Sequence, residues 1–449
     1  MGNEKLFQDE PVWMAICKLA IPAVFTILIM VIYNMADMFF IGMLGNDTMV
    51  ASVSVVSPVF SLATAVGTTL GAGGCAVLAN ALGAGEVKKA QAAGSLCIWV
   101  GLIFGVVFAV SAIPASTPLL HLLGATGDMM DYASAYLRIL AAGAPLMLFS
   151  QSIASVIRAE GVTIQPMVNN IAGTVTNLIL DPLFILAFHM GVAGAALATV
   201  LGNLVACFLH VHTIRTKTKA IGFDFRPALK NLRLLLHILA LGLPNGLSSI
   251  LSGLTSTFSN QLLGSYGSGA IAAMAAAGRS SLVISMVQMG VCLGVAPMLA
   301  YNYGARNIPR LKETLVKTGI LTVCIGLAAT LGCFAGRDGL ISLFLKDAEN
   351  AALAKNFLFW LLLASPLYGL HSLSTNFLQA AGNAFSAAVI SILRQGALLI
   401  PALFACHAVW GLPGIGTAHF VSDILSVIIG VTILIQQMQK IGVQQFDEP

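Results

Sequence analysis

The chain has 449 residues, of which 58% are hydrophobic and only 9% are charged, whereas soluble globular domains have about 25% charged residues. This composition excludes a soluble globular protein and indicates a membrane protein. The net charge of +4 does not predict nucleic acid binding, because the basic residues follow the loops between apolar segments instead of forming one basic surface.

About twelve apolar stretches approach the length of about 20 residues that a membrane-spanning helix needs. The sequence therefore predicts an all-α polytopic membrane protein with about twelve transmembrane helices. In chain order they fall near residues 14–41, 52–80, 93–113, 132–153, 163–187, 192–213, 235–262, 269–301, 314–334, 352–372, 384–407 and 413–437.

Sequence landmarks recur at an offset of 220 to 222 residues, which predicts a duplication of six helices. We therefore expect two pseudo-symmetric lobes, with an N-lobe at 1–213, a cytoplasmic linker at 214–234 and a C-lobe at 235–449. An even number of helices gives both halves the same direction of entry, an arrangement typical of transporters. The landmark pairs include Pro22 with Pro244, Pro145 with Pro366, and Gly191 with Gly411.

Lys and Arg residues concentrate in the second, sixth and eighth loops, whereas the opposite loops contain only Arg337, Lys346 and Lys355. By the positive-inside rule, both termini and the linker are expected in the cytoplasm.

Asp37 is the only charged residue in the apolar run from Leu19 to Met43. A carboxylate at the centre of a spanning helix costs about 2.5–3.5 kcal/mol, so such residues usually have a function and a partner. We therefore expect Asp37 to belong to an intramembrane site.

Polar residues on three predicted helices repeat at helical spacing, and each set therefore lies on one helix face. We expect the three faces to converge on a small acidic, oxygen-rich pocket. The sets are Tyr33, Asn34 and Asp37 on the first helix, Asn170, Thr174, Asn177 and Asp181 on the fifth, and Thr199 and Asn203 on the sixth.

The chemistry of this pocket has two functional interpretations. Two carboxylates close together in a low dielectric cannot both remain ionised cheaply, so they can act as a proton switch. The same oxygens can also hold Na⁺, which prefers hard oxygen ligands. Alternatively, the polar groups only bond the helices together, at about 0.6 kcal/mol each.

The second half lacks these groups. At the repeat offset, Asn177 corresponds to Leu398 and Asp181 to Ile400 or Ala402. An architectural carboxylate would more often be kept in both copies, so we expect a specialised role for the N-lobe.

Two prolines and several other polar residues have less specific patterns. Pro22 and Pro182 each remove a helix hydrogen bond and are candidate hinges. Arg279 and Arg394 can line a central path or pair across helices. No His-Glu-x-x-His motif, paired acid in a loop or metal-ligand spacing occurs, so we expect neither an enzyme nor a cofactor.

Three stretches resemble the multidrug and toxic compound extrusion (MATE) family. They are Pro22 with Tyr33-Asn-Met-Ala-Asp37-Met-Phe-Phe-Ile-Gly42; Leu82-Gly-Ala-Gly85 with Lys89-Ala90; and Arg158-Ala-Glu-Gly161 continuing through Asn177, Asp181-Pro182 and Gly194-Ala-Ala-Leu-Ala-Thr199. The short termini and the asparagine-rich fifth helix look most like the MepA- and DinF-like bacterial branch.

This resemblance implies that Asp37, Asn177, Asp181 and Thr199 form the cation or proton site of the N-lobe. Some family members instead place acidic residues in the seventh and tenth helices. Here those helices carry Asn260, Gln261 and His371, so the resemblance does not extend to a C-lobe ion site.

The resemblance further implies a monomeric secondary transporter of the bacterial cytoplasmic membrane that exports small, mostly cationic drugs in exchange for H⁺ or Na⁺. Met35, Arg279, Asn260, Gln261, His371 and Arg394 are candidates for the substrate path. A lipid-linked oligosaccharide flippase of the same superfamily is the alternative, although such proteins tend to have more cationic residues in the cavity. A channel would also span the membrane, but the duplicated lobes favour alternating access.

Overall fold

The computed structural model describes residues 4–43, 47–125, 127–224, 231–342, 345 and 347–447. Within these ranges the secondary structure is helical, and twelve helices are long and apolar enough to cross a membrane. This confirms the predicted all-α polytopic fold. Residues 225–230 of the predicted linker lie outside the described residues.

Eleven of the twelve helices, labelled α1 to α12, are longer than the apolar stretches that predicted them, because polar ends extend several of them, whereas α5 ends at Pro182, before the end of its predicted stretch. Their bounds are Val12–Gly42, Asp47–Gly83, Val87–Ala112, Met129–Ala159, Ile164–Pro182, Gly191–Lys217, Leu232–Gly264, Ser268–Gly304, Ile308–Ala335, Ala348–Ala380, Ala384–Trp410 and Leu412–Asp447. Shorter helices occur at Glu4–Gln8, Ser116–Leu122 and Arg337–Ser342.

Two of these helices contain π-helical turns. In the fifth span, α5 ends at Pro182 and a π-helical segment follows at Leu183–Ala187. In α11 the π-helical segment is Leu393–Ala397. Such turns are uncommon and are often found at functional sites.

The chain forms two compact units, the first made of Met1–Leu6 with Phe25–Gly242 and the second of Phe7–Val24 with Leu243–Pro449. The three boundaries fall within the short helix Glu4–Gln8, within α1 and within α7, whereas the sequence repeat places the division at the linker 214–234. Within the first unit α4 packs against α2, α3 and α6, and within the second unit α10 packs against α8, α9 and α12. Each unit is therefore organised around one central helix.

Glycines allow the helices within each unit to approach closely. A Cβ on Gly73 would overlap the backbone of Ile238 in the first unit, and a Cβ on Gly294 would lie 2.5 Å from the carbonyl oxygen of Leu19 in the second. Small residues are the usual means of close helix packing in membranes. The glycine-rich end of α2 is thus a packing surface.

Candidate functional site

Tyr33 and Asp37 lie one turn apart on α1. The side chain of Asp37 is half-buried, and its Oδ1 atom is buried with no hydrogen-bond partner among the described residues. The Tyr33 hydroxyl lies 3.2 Å from Oγ1 of Thr199 on α6. This contact brings α1 next to the polar residues of α5 and α6.

Asn177 and Asp181 lie one turn apart at the end of α5. Asp181 is completely buried and Asn177 is 2% exposed. The Asn177 amide donates hydrogen bonds to Oδ1 of Asp181 at 3.5 Å and to Oγ1 of Thr199 at 3.3 Å. Asn203, one turn further along α6, donates to the Thr199 carbonyl oxygen at 2.9 Å. The predicted residues of α5 and α6 therefore form one connected group.

The two carboxylates belong to the same cluster, since Asp37 and Asp181 interact electrostatically. Tyr33 also interacts with both carboxylates. Tyr136 of α4, which is 8% exposed, interacts with Asp37, Tyr33 and Asp181. The sequence does not identify Tyr136 as a site residue, because a single tyrosine in an apolar helix has no periodic pattern that distinguishes it from a core residue.

Three side-chain oxygens in this cluster are buried and have no hydrogen-bond partner among the residues that the structure describes. They are Oδ1 of Asp37, Oδ1 of Asn177 and Oδ2 of Asp181. A buried polar atom without a partner costs free energy, and the cost is largest for a charged group. A bound proton or a small cation would remove that cost, so this oxygen set fits either one.

The remaining predicted residues of the first unit lie elsewhere or are not described. The Asn170 side-chain oxygen lies 3.2 Å from Nε2 of His210, and the Asn169 amide lies 3.1 Å from Nδ1 of the same ring. Asn170 thus belongs to a second polar group, while Thr174 is half-buried between the two groups. The side chain of Asn34 lies outside the described residues.

The substrate-path candidates have different environments. Met35, Arg279, Asn260 and Gln261 are exposed, whereas His371 is buried. Arg394 forms an ion pair of 2.8 Å with Asp423 of α12 and lies over the ring of Tyr368. In the second unit, His371 and Arg394 interact electrostatically, and each lies beside the ring of Tyr368.

No group of three or more His, Cys, Asp or Glu side chains within the described ranges is arranged to hold a metal ion. Any Na⁺ at the first-unit cluster would depend on the amide and hydroxyl oxygens as well as the two carboxylates.

Two repeated halves, twelve apolar helices and buried ionisable groups define the class of polytopic membrane transporters. The MatE family model matches residues 22–183 and 244–404, one stretch in each half. The chain belongs to the MatE family, in agreement with the motifs that carry the resemblance.

The curated relatives include two staphylococcal multidrug export proteins named MepA. The protein from Staphylococcus saprophyticus is 31% identical over 437 residues, covering 97% of this chain and 96% of the relative. The protein from Staphylococcus aureus strain MSSA476 is 30% identical with the same coverage.

Solved structures of MATE transporters share the fold. A MATE structure in complex with MaL6 has a TM-score of 0.92 at 23% identity and covers 98% of this chain and 99% of its own. A mutant of the Vibrio cholerae MATE transporter VcmN has a TM-score of 0.88 at 25% identity, covering 98% and 97%.

Proposed function

We propose that this protein is a secondary multidrug exporter that expels organic, mostly cationic or amphipathic compounds in exchange for protons. Alternating access between the two lobes would carry the exchange. The similarity to proteins named multidrug export protein MepA over nearly the whole chain supports the substrate class. The buried cluster of Asp37, Asn177, Asp181 and Thr199 supports the coupling to an ion.

The observation that carries the coupling proposal is the completely buried carboxylate of Asp181. Its Oδ1 accepts one hydrogen bond from Asn177, and its Oδ2 has no partner. A second carboxylate, Asp37, interacts with it electrostatically. Two adjacent carboxylates can share one proton, because the ionised pair is repulsive and poorly solvated. Opening the lobe to water would release that proton.

The other residues of the cluster have supporting roles in this mechanism. Asn177 and Thr199 hold Asp181 and Tyr33 in place through their hydrogen bonds. Asn203 fixes the backbone at Thr199. Asn170 and Thr174 would support the same face of α5 from a greater distance, and Asn34 keeps a supporting role on the sequence pattern alone.

Sodium is the second candidate ion. The three buried oxygens without partners come from two carboxylates and an amide, and Na⁺ binds oxygen ligands of this kind. A sodium-coupled exporter would use Asp37, Asn177, Asp181 and Thr199 as ligands instead of as a proton-sharing group.

We assign the substrate path to Met35, Arg279, Asn260, Gln261, His371 and Arg394. The flippase alternative is not favoured, because such proteins tend to line the cavity with several cationic residues, and the sequence offers two clear candidates here, Arg279 and Arg394.

Pro22 and Pro182 would act as hinges. The first unit boundary in α1 lies between Val24 and Phe25, two residues after Pro22, and the second lies two residues before Pro244, its repeat partner. Pro182 directly precedes the π-helical turn. Proline removes a backbone hydrogen bond, so a helix bends more easily at that residue. In α1 this point lies beside a unit boundary, and in α5 it lies beside the acidic cluster.

We place the protein in the bacterial cytoplasmic membrane as a monomer with both termini and the predicted linker in the cytoplasm. Its partners would be the lipid bilayer and small-molecule drugs, with no nucleic acid. The transport cycle needs no cofactor besides the coupling ion.

The test is drug efflux from reconstituted vesicles in which proton and sodium gradients are imposed separately. Proton coupling requires efflux in sodium-free buffer that collapses with a protonophore. Efflux that follows the sodium gradient at fixed pH, with Asn177→Ala and Thr199→Ala raising the sodium concentration needed, would replace the proton by sodium. Drug movement that neither gradient drives would refute ion-coupled export itself.

A further inference from the structure

The second unit contains a half-buried charged pair that the ion-coupling proposal does not use. The Arg394 guanidinium donates from Nε to Oδ1 of Asp423 at 2.8 Å. Its central carbon lies 4.5 Å from the centre of the Tyr368 ring. An arginine in this arrangement is held in position by charge on one edge and by an aromatic face below.

The backbone around Arg394 is also fixed. Arg394 lies in the π-helical turn of α11, which leaves carbonyl groups without their usual helical partners. The Ser422 hydroxyl donates to the Arg394 carbonyl at 3.1 Å, and the Thr255 hydroxyl donates to the carbonyl of Gln395. Hydroxyl groups from α12 and α7 therefore stabilise the turn that presents the guanidinium.

Nitrogen atoms beside this ion pair are still available to form hydrogen bonds with a bound compound. The two terminal nitrogens of Arg394 form no hydrogen bond with the described residues, and the side chain keeps 18% of its surface exposed, against 24% for Asp423. His371 is 8% exposed and its Nδ1 has no partner, and Nε2 of His419 is likewise buried without a partner. Both rings interact electrostatically with Arg394.

We propose that Arg394, stacked on Tyr368 and held by Asp423, is a recognition site for the carboxylate of exported aromatic compounds. The terminal edge of a guanidinium matches a carboxylate in a bidentate arrangement. The nearby imidazoles of His371 and His419 can complete the hydrogen bonding. Asp423, Ser422 and Thr255 are positioning residues, since they contact Arg394 or its turn and not the compound.

This inference rests on the proposed export function and narrows its substrate class. Purely cationic compounds without an acceptor gain no hydrogen bond from the terminal nitrogens of Arg394, because those nitrogens are donors only. Compounds that join a carboxylate to an aromatic system gain both an ionic hydrogen bond and a stacking surface. The second unit would therefore distinguish zwitterionic and anionic compounds from cations of the same shape.

The test uses a xanthene dye with a free benzoate group and the ethyl ester of the same dye. The two probes share one ring system and differ in the carboxylate. We expect Arg394→Gln to reduce gradient-driven efflux of the acid about tenfold while changing efflux of the ester less than twofold. Arg394→Lys, which keeps the charge but lacks the planar fork, should give an intermediate loss. Equal losses for both dyes, or none for the acid, would overturn the proposal.

A measurement on the wild-type protein covers the case in which the variant does not fold. Benzenesulfonate remains ionised and carries no protons across the bilayer, so it leaves the gradient intact. Because it competes with the carboxylate of the acid for Arg394, it should slow efflux of the acid and leave efflux of the ester unchanged. An equal effect on both dyes, or none on either, contradicts the proposed site.

Equilibrium binding of both dyes to purified protein separates this proposal from the export function. If no gradient drives efflux of either dye, export fails. Weaker binding of the acid alone to the Arg394→Gln variant would then still support the site, and unchanged binding would refute it.

Discussion

The same pair of helices is built differently in the two halves. In the first unit, α5 and α6 cross glycine to glycine: a Cβ on Gly173 would lie 2.7 Å from the Gly202 carbonyl oxygen. At the repeat offset of 221 residues these positions become Arg394 and Asp423, the ion pair between α11 and α12. One duplicated crossing thus carries close backbone packing in one half and a charged pair in the other.

This difference separates two tasks. The close approach of α5 and α6 at Gly173 and Gly202 places Asn177, Asp181 and Thr199 one or two turns from the crossing. At the repeat offset, the second unit has apolar residues in place of Asn177, Asp181 and Thr199. It has instead Arg394 over the ring of Tyr368. We infer that duplication allowed one half to specialise in the coupling ion and the other in the transported compound.

The largest expected effect is at Asp37. Asp37→Asn keeps the shape of the side chain but removes its titratable charge, so gradient-driven efflux should fall at least about a hundredfold, in line with the loss of an essential charged group. Efflux in vesicles with an imposed gradient is the measurement, with folding checked by the melting temperature in detergent.

Asp423→Asn is the matched control, because it makes the same chemical change at the carboxylate of α12. It should alter the preference between compounds while efflux remains coupled to the gradient. Wild-type rates for Asp37→Asn, or complete uncoupling by Asp423→Asn, would contradict the division of tasks.

The glycine crossing predicts a large effect on stability. Gly173→Ala places a methyl group 2.7 Å from the Gly202 carbonyl oxygen, and overpacking of this kind typically costs about 1–3 kcal/mol. The variant should therefore unfold at a lower temperature in detergent. Gly278→Ala is the control, since a Cβ there meets no atom within 4 Å, and the alanine should be neutral or favourable by up to about 1 kcal/mol. Equal melting temperatures for the two variants would show that the crossing tolerates a side chain.

The fold and part of the first-unit cluster could be predicted from the sequence. Apolar length alone predicts the spanning helices, because lipid requires every backbone group to be bonded within the segment. Helical spacing likewise predicts that Asn177 and Asp181 share one face of α5, and the Asn177 amide contacts both Asp181 and Thr199. These are short-range consequences of one regular geometry.

The remaining features depend on where helices meet, which periodicity does not specify. Asn170 shares a face with Asn177 but lies seven residues away, about 10.5 Å along the axis, and it therefore reaches His210 instead of Thr199. Tyr136 reaches the first-unit cluster from α4, and Arg394 and Asp423 pair across the consecutive helices α11 and α12. The π-helical turn at Leu393–Ala397 has no sequence signal that the spacing of apolar residues detects.

The charged pair of the second unit predicts a smaller, pairwise effect. In a double-mutant cycle, Arg394→Gln and Asp423→Asn should each destabilise the protein more than the double variant does, with a coupling of about 1–2 kcal/mol for a partly buried ionic hydrogen bond. The exposed pair Lys317–Glu313 on α9 is the control, with about 0.3–0.5 kcal/mol expected for an i,i+4 pair. Additive single effects at Arg394 and Asp423 would mean that the two charges do not stabilise each other.

The smallest effects are expected at the exposed polar residues of α7. Asn260 and Gln261 are exposed, so their replacement by alanine leaves no buried group without a partner and should not affect folding. If they line the substrate path, each should change the relative efflux of two drugs by a few-fold, in line with about 1 kcal/mol for one hydrogen bond, without changing the dependence on the gradient.

His371→Ala belongs to the same series, although its burial makes a cost to stability expected as well. Asn177→Ala is the matched comparison in the first unit for Asn260→Ala, since both substitutions remove an asparagine amide. Unlike Asn260, Asn177 is buried, with 2% of its surface exposed. That variant deprives Asp181 and Thr199 of a donor, and its effect should appear in coupling to the ion and not in drug preference. Efflux of a drug panel measured against the size of the imposed gradient separates the two outcomes. If Asn260→Ala, Gln261→Ala or His371→Ala uncoupled efflux as fully as Asp37→Asn, the ion site would extend into the second unit, and the assignment of one task to each half would be wrong.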